Sequence, residues 1–116
     1  PVMAALAAVS EGTTEIINAA RVRLKECDRL HAMAVELSRL GAQVEEKDDG
    51  LVIHGGAPLH GGAVSSWNDH RIAMALASIS PAIEGRLTID GADSVRKSYP
   101  RFWDDFVKTG GQCNYE

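Results

Sequence analysis

The stretch RLKECDRL, residues 23 to 30, crowds Arg23, Lys25, Glu26, Cys27, Asp28 and Arg29 into the approach to an apolar-periodic run. If that approach is helical, Lys25 and Arg29 stand one turn apart. Arg71 in WNDHRIAMALA and Lys97 in VRKSYPRFWDDF extend the pattern, so basic side chains recur at three successive helix starts. Helix N-termini already present unpaired N–H groups and a positive dipole end, so cations there are unfavourable unless an anion joins them. The chemistry this set points to is binding of a small, multiply charged anion. The plainer account is a solvated surface, with Asp28 and Asp69 as local partners of Arg29 and Arg71. Such exposed pairs contribute under about 1 kcal/mol each.

Other reactive side chains point less far. Cys27 is a candidate nucleophile, its pKa lowered by Lys25 and the helix start, but the sequence assigns it no base. His54 and His60 flank glycines without a Cys or carboxylate at metal-ligand spacing, so no metal is expected. His31 is expected to be partly exposed rather than a ligand. Met3, Met33 and Met74 read as core filling, and Cys113 as a small apolar residue.

The elements that must carry these residues follow from period. Leu30, Met33, Ala34, Leu37 and Leu40 recur at helical spacing, and Gly41 supplies the stop. TTEIIN and RLTID, each after a Glu-Gly, are short, β-branched strands, and QVEEKDDGLVIHG is a hairpin around Asp-Gly. HGGAPLHGGA is a Gly-rich loop or a distorted strand edge and lacks the context of a phosphate loop. Asn68 or Asp69 is the candidate N-cap of a helix whose apolar face is Ile72, Ala75, Leu76 and Ile79. The last helix opens near Pro100 and carries Asp104 and Asp105 early, with Phe102, Trp103, Phe106 and Val107 expected to bury against the core.

The order apolar helix, Glu-Gly, strand, basic residue, second helix occurs twice, about 70 residues apart, and Lys25 and Lys97 fall at nearly matching places. Alternating strands and helices with a hairpin imply an α/β arrangement. With 116 residues, 45% of them hydrophobic, one core of ordinary size is expected. The net charge of −4 disfavours nucleic acid as a partner, so any anion site must be local. Two distant cysteines fit a reducing compartment. The longest apolar stretch, VMAALAAV, is far short of the roughly 18 residues a membrane span needs, and no basic segment precedes it as in a signal peptide. Because the chain opens at Pro1 inside a helical pattern, it is expected to be a piece of a longer polypeptide.

RVRLKECDRLHAMAVELSRLGA, WNDHRIAMALA and VRKSYPRFWDDF, in that order, are similar to the three signature stretches K-E-S/T-D-R, D-H-R-x-A-M and K-S/T-x-P of the 5-enolpyruvylshikimate-3-phosphate synthase family. The resemblance spans essentially the whole chain and corresponds to the last quarter of the family's proteins. It implies an inside-out α/β barrel fold of two lobes, each built from repeated βαβαββ units with helices inward and the active site between lobes. Residues 1–116 would then be the C-terminal portion of one lobe, with the start of this lobe and the whole other lobe absent.

The implied activity is transfer of the enolpyruvyl group of phosphoenolpyruvate to the 5-hydroxyl of shikimate 3-phosphate with release of phosphate, in the cytoplasm, with no metal or organic cofactor. By motif, Arg29, Arg71 and Lys97 resemble the clamp on phosphoenolpyruvate, and Lys25 the lysine that contacts shikimate 3-phosphate. Glu26 resembles the acid/base glutamate and His70 its neighbour in the second motif, so Glu26, Lys25 and His70 form the implied catalytic group. Two departures stand out. Cys27 replaces a Ser or Thr that would cap the helix better, at a cost of about 1 kcal/mol. The family's catalytic aspartate falls before Pro1, so the isolated chain is expected to be inactive. The competing readings are a non-catalytic anion-binding or scaffold module and the related transferase acting on UDP-N-acetylglucosamine.

Overall fold

The computed structural model describes residues 2–25, 27–56 and 58–108. Helix α1 (Val2–Val9) leads into strand β1 (Gly12–Ile16), a 3-10 turn (Ala20–Leu24) and helix α2 (Arg29–Arg39). The hairpin β2 (Gln43–Glu46) and β3 (Leu51–Gly55) follows, then β4 (His60–Ser65) and α3 (His70–Ser78). A short 3-10 turn (Ser80–Ala82), β5 (Glu84–Asp90), a second long 3-10 turn (Ala92–Lys97) and α4 (Phe102–Lys108) complete the order. The sequence α1, β1, 3-10 turn, α2 is thus repeated as α3, β5, 3-10 turn, α4.

Strand pairing differs between the two copies. β1 and β2 flank β3 in an antiparallel sheet of order β1-β3-β2, whereas β4 and β5 pair in parallel across the α3 connection. Parallel neighbours need such a helical crossover, which is why the strand before α3 and the strand after it run the same way. The Gly-rich stretch of residues 54–63 closes β3 at His54 and Gly55, crosses the connection and opens β4, where the register is irregular between His60 and Gly62, so it is part loop and part distorted strand.

The helices share one core. Ala4, Ala5 and Ala8 of α1 meet Leu30, Met33 and Leu37 of α2 and Ile72, Ala75 and Leu76 of α3, all nearly inaccessible to solvent. Small side chains on α1 let the other helices approach closely, and Leu51 and Ile53 add the inward face of β3. α2 ends as Gly41 predicts. Gly41 takes φ +99°, its N–H donates to the Ser38 carbonyl and the Ala42 N–H to that of Leu37, a Schellman closure that a Cβ at residue 41 would strain.

Several expectations are corrected. Lys25 is not on α2; it ends the first 3-10 turn with extended backbone (φ −87°, ψ −157°), so it does not share a helical face with Arg29. Asp28, not Cys27, is the N-cap of α2: its Oδ1 accepts from the His31 N–H at 3.1 Å, and a Cys at 27 costs the helix no cap. Met3 is 63% exposed, because an all-apolar helix such as α1 does not announce which face is buried. In α4, Val107 is 48% exposed, while Phe102, Trp103 and Phe106 are half-buried, with Trp103 edge-on to both phenylalanines and the two phenylalanine rings stacked. Pro100 precedes α4 rather than opening it. Cys113 lies outside the described residues.

Candidate functional site

One carboxylate joins the first two motifs. Asp69 is the N-cap of α3, its Oδ1 accepting the Arg71 N–H at 2.9 Å, so the cap reading of Asp69 rather than Asn68 is borne out. The same carboxylate receives Arg29, the first residue of α2, from Nε to Oδ2 at 2.8 Å and from Nη2 to Oδ1 at 3.3 Å. Cys27 donates its thiol to Oδ2 at 3.4 Å. Both charged side chains are buried, at 7% and 0% exposure. Two helix starts separated by 40 residues of sequence are therefore fastened together. Asp69 was expected to serve Arg71 through its side chain; it serves Arg71 through the backbone and Arg29 through the guanidinium.

The electrostatics follow from this packing. Burial alone would raise the Asp69 carboxyl, but the Arg29 guanidinium, the Arg71 N–H and the Cys27 thiol together hold its pKa below the ordinary carboxylate value. Cys27 goes the other way. Burial first, then the hydrogen bond and negative charge of Asp69, push its thiol up to about 12, so the expectation of an activated thiolate is overturned. We expect Cys27 to resist alkylation at pH 8 in the folded protein and to become reactive only on unfolding. Peptide mapping after iodoacetamide treatment reads this residue separately from Cys113, and rapid folded-state labelling of Cys27 would contradict it.

The rest of RLKECDRL sorts into structure and surface. Arg23 Nη1 bonds Asp28 Oδ2 at 2.8 Å and Glu46 Oε2 at 2.9 Å, and its Nε donates to the Asp48 carbonyl, tying the 3-10 turn to the hairpin. Asp28 therefore serves Arg23, not Arg29. His31 is exposed and paired, its Nδ1 lying 2.8 Å from Glu46 Oε1. Lys25 is exposed. Arg71, second in α3, is exposed, and among the described residues its guanidinium has no hydrogen-bond or ion-pair partner. His70, first in α3, is half-buried, with a buried Nδ1 that lacks a partner among the described residues. Lys97 is the last residue of its 3-10 turn; its side chain and Glu26 lie outside the described residues.

α2 and α3 have no acidic residue in the first turn, but each is capped by an aspartate, Asp28 and Asp69, whereas α4 carries Asp104 and Asp105 within its first turn. An apolar cavity of about 190 Å³ lies behind Arg29, against Met3, Leu30 and Met33. A cleft of about 340 Å³ lies between the Ala92–Lys97 turn and α4, lined by Asp93, Arg96, Trp103 and Asp104. Neither is lined by both Arg29 and Arg71. Among the described residues no group of three or more His, Cys, Asp or Glu is placed to hold a metal ion, and no helix is long and apolar enough to cross a membrane.

Sequence reasoning missed two further residues that shape this region. Glu36 is buried at 1% exposure on the core side of α2, and Trp67 Nε1 donates to its Oε2 at 2.7 Å. Trp67 and Asn68 both adopt left-handed backbone, φ 55° and 53°, directly before Asp69. Such conformations cost about 1–3 kcal/mol at a bulky residue and persist only where the surroundings hold them. The available signal was a lone acidic residue beside Leu37 on an otherwise apolar stripe.

The family model for EPSP synthase (3-phosphoshikimate 1-carboxyvinyltransferase) matches residues 1–106. The chain belongs to the EPSP synthase family. A 3-phosphoshikimate 1-carboxyvinyltransferase of Clostridium kluyveri is 61% identical over 114 residues, covering 98% of this chain and 27% of the relative. That of Clostridium acetobutylicum is 57% identical over the same length and shares. A solved EPSP synthase from Acinetobacter baumannii superposes with a TM-score of 0.90 at 34% identity, over 95% of this chain and 26% of that one. The α/β fold is thus that of EPSP synthases, and the chain spans about a quarter of the length of the relatives it matches.

Proposed function

We propose that this chain is the C-terminal portion of one lobe of a cytoplasmic 3-phosphoshikimate 1-carboxyvinyltransferase of aromatic amino-acid biosynthesis, and that it forms one wall of the active site. The observation that carries the reading is the Arg29–Asp69 bridge, which fastens the K-E-C-D-R stretch to the D-H-R stretch and leaves Arg71 exposed at the junction. The partners are phosphoenolpyruvate, shikimate 3-phosphate and the other lobe, with no metal or organic cofactor required.

In this reading Arg29, Arg71 and Lys97 bind the carboxylate and phosphate of phosphoenolpyruvate, guanidinium forks being suited to both. Lys25 contacts shikimate 3-phosphate near its 5-hydroxyl. A proton is added to the methylene carbon of phosphoenolpyruvate while the hydroxyl oxygen bonds to the adjacent carbon and gives up its own proton, forming a tetrahedral ketal. Loss of phosphate from that carbon and of a proton from the new methyl group restores the double bond. Glu26 and His70 move protons, and Lys25 stabilises developing charge; a placed carboxyl contributes about 10²–10⁴ in rate.

The test has two arms. The isolated 116-residue chain is expected to show no turnover, while a full-length synthase carrying this segment converts both substrates. Phosphoenolpyruvate titrated into that full-length protein is expected to shift amides at Lys25, Arg29, Arg71 and Lys97 together. A scaffold module would give no shared response, and turnover with UDP-N-acetylglucosamine instead would reassign the acceptor.

A further inference from the structure

The segment that delivers Asp69, His70 and Arg71 is held by residues outside the short K-E-C-D-R, D-H-R and K-S-Y-P cores. Glu36 is the anchor: one buried carboxylate on α2 takes the Trp67 indole N–H at Oε2 (2.7 Å) and the Ser65 backbone N–H at Oε1 (3.2 Å). Arg39 Nη1 stands 3.4 Å from the same Oε1. The Trp67 ring also meets the His31 ring edge-on, centroids 5.6 Å apart, so the indole is bound to α2 at two places. Within the turn, the Trp67 N–H donates to Ser65 Oγ at 3.0 Å and the Asn68 N–H to Ser66 Oγ at 3.2 Å. Ser66 Oγ in turn donates to the Gly91 carbonyl at 2.8 Å, at the head of the turn that ends in Lys97. Gly91 has φ +74°, and a Cβ there would lie 2.6 Å from that hydroxyl, so only glycine fits beneath Ser66.

Two consecutive non-glycine residues in left-handed backbone need such over-determination, and the anchor runs from α2, the helix that also carries Arg29. We propose that Glu36 and Trp67 are positioning residues: they fix the Ser65–Asp69 turn against α2 so that Arg71 stands in register with Arg29 for an anionic substrate. The proposal rests on the functional reading above. A wholly structural pair would lower stability alone; a positioning pair also weakens the anion site, because the turn relaxes out of its strained backbone once either bond is lost.

The experiment uses the full-length synthase carrying this segment. Glu36→Gln keeps an acceptor for the indole but sets an NH2 group against the Ser65 N–H, whereas Trp67→Phe keeps the Ser65 bond and loses the indole donor. For each variant the KM for phosphoenolpyruvate, the kcat, the thermal midpoint and the directly titrated Kd for phosphoenolpyruvate are measured. KM and Kd are expected to rise at least five-fold, by a larger factor than kcat falls. The double variant is expected to be no worse than the worse single one, since both act on one linkage. KM and Kd within two-fold of the parent, with only the thermal midpoint lowered, would overturn the proposal. Should Glu36→Gln fail to fold, Trp67→Phe and the milder Ser65→Ala, which deletes the Oγ acceptor of the Trp67 N–H, decide between the two roles by the same KM and Kd criteria. A parent protein that binds phosphoenolpyruvate without synthase turnover would sink the functional reading while leaving the Kd comparison decisive; a parent that does not bind it would sink both.

Discussion

Asp69→Ala is expected to destabilise the protein by about 3–5 kcal/mol, because it takes the buried Asp69 carboxylate away from the charged, buried Arg29 guanidinium. The same change strips α3 of its N-cap, whose loss by itself costs about 1 kcal/mol. Asp69→Asn separates the two effects: its side-chain oxygen can still accept the Arg71 N–H, but its NH2 group opposes Arg29, so an intermediate loss is expected. Removing the partner as well, in Arg29→Met with Asp69→Ala, is expected to recover part of the stability, since a pair replaced by apolar groups is no longer an uncompensated charge. Urea unfolding of the parent, Asp69→Ala, Arg29→Met and the double variant gives the coupling energy directly. A loss under about 1 kcal/mol for Asp69→Ala would show that the pair does not hold the two helix starts.

Acid should act on the same bond. The folded Asp69 pKa is held down, as are those of Asp28 and Glu46, so each carboxylate contributes stability above its unfolded pKa of about 4 that is lost as pH falls through the folded value. Stability is therefore expected to drop below about pH 4, and Asp69→Asn to show a shallower acid limb than the parent.

What could be read from the sequence was whatever period and local chemistry determine. Leu30, Met33, Leu37 and Leu40 are buried as their spacing requires, the Asp-Gly hairpin forms, and Gly41 ends α2. The motif residues at the starts of α2 and α3 lie where helix signals put them. Lys25 went wrong because nothing in RVRLKEC distinguishes a 3-10 turn followed by extended backbone from the first turn of a helix. The partners of Arg29 and Trp67 were illegible for a different reason: Asp69 and Glu36 lie 40 and 31 residues away, and only tertiary packing decides which carboxylate meets which donor. The Cys27 thiol shows the same limit. Its sequence neighbours argue for a lowered pKa, and burial against a carboxylate from another helix reverses the sign.

Arg71→Ala, in a full-length synthase carrying this segment, is expected to lower kcat/KM for phosphoenolpyruvate by about 10²-fold or more while leaving stability within about 0.5 kcal/mol. The two halves of that expectation come from one observation: the side chain is exposed and without a described partner, so folding does not depend on it. On the proposed reading, each charge-assisted bond from Arg71 to a carboxylate or phosphate oxygen would contribute about 1.5–3 kcal/mol, and a guanidinium can make two. Arg71→Lys keeps the charge but not the fork, so a smaller loss is expected. Arg29→Ala should behave differently, losing binding and stability together, because it abandons a buried Asp69. Steady-state kinetics beside thermal unfolding for the three variants separates these cases. If Arg71→Ala stays within three-fold of the parent in kcat/KM, the exposed guanidinium is solvated surface and the anion site must be sought elsewhere.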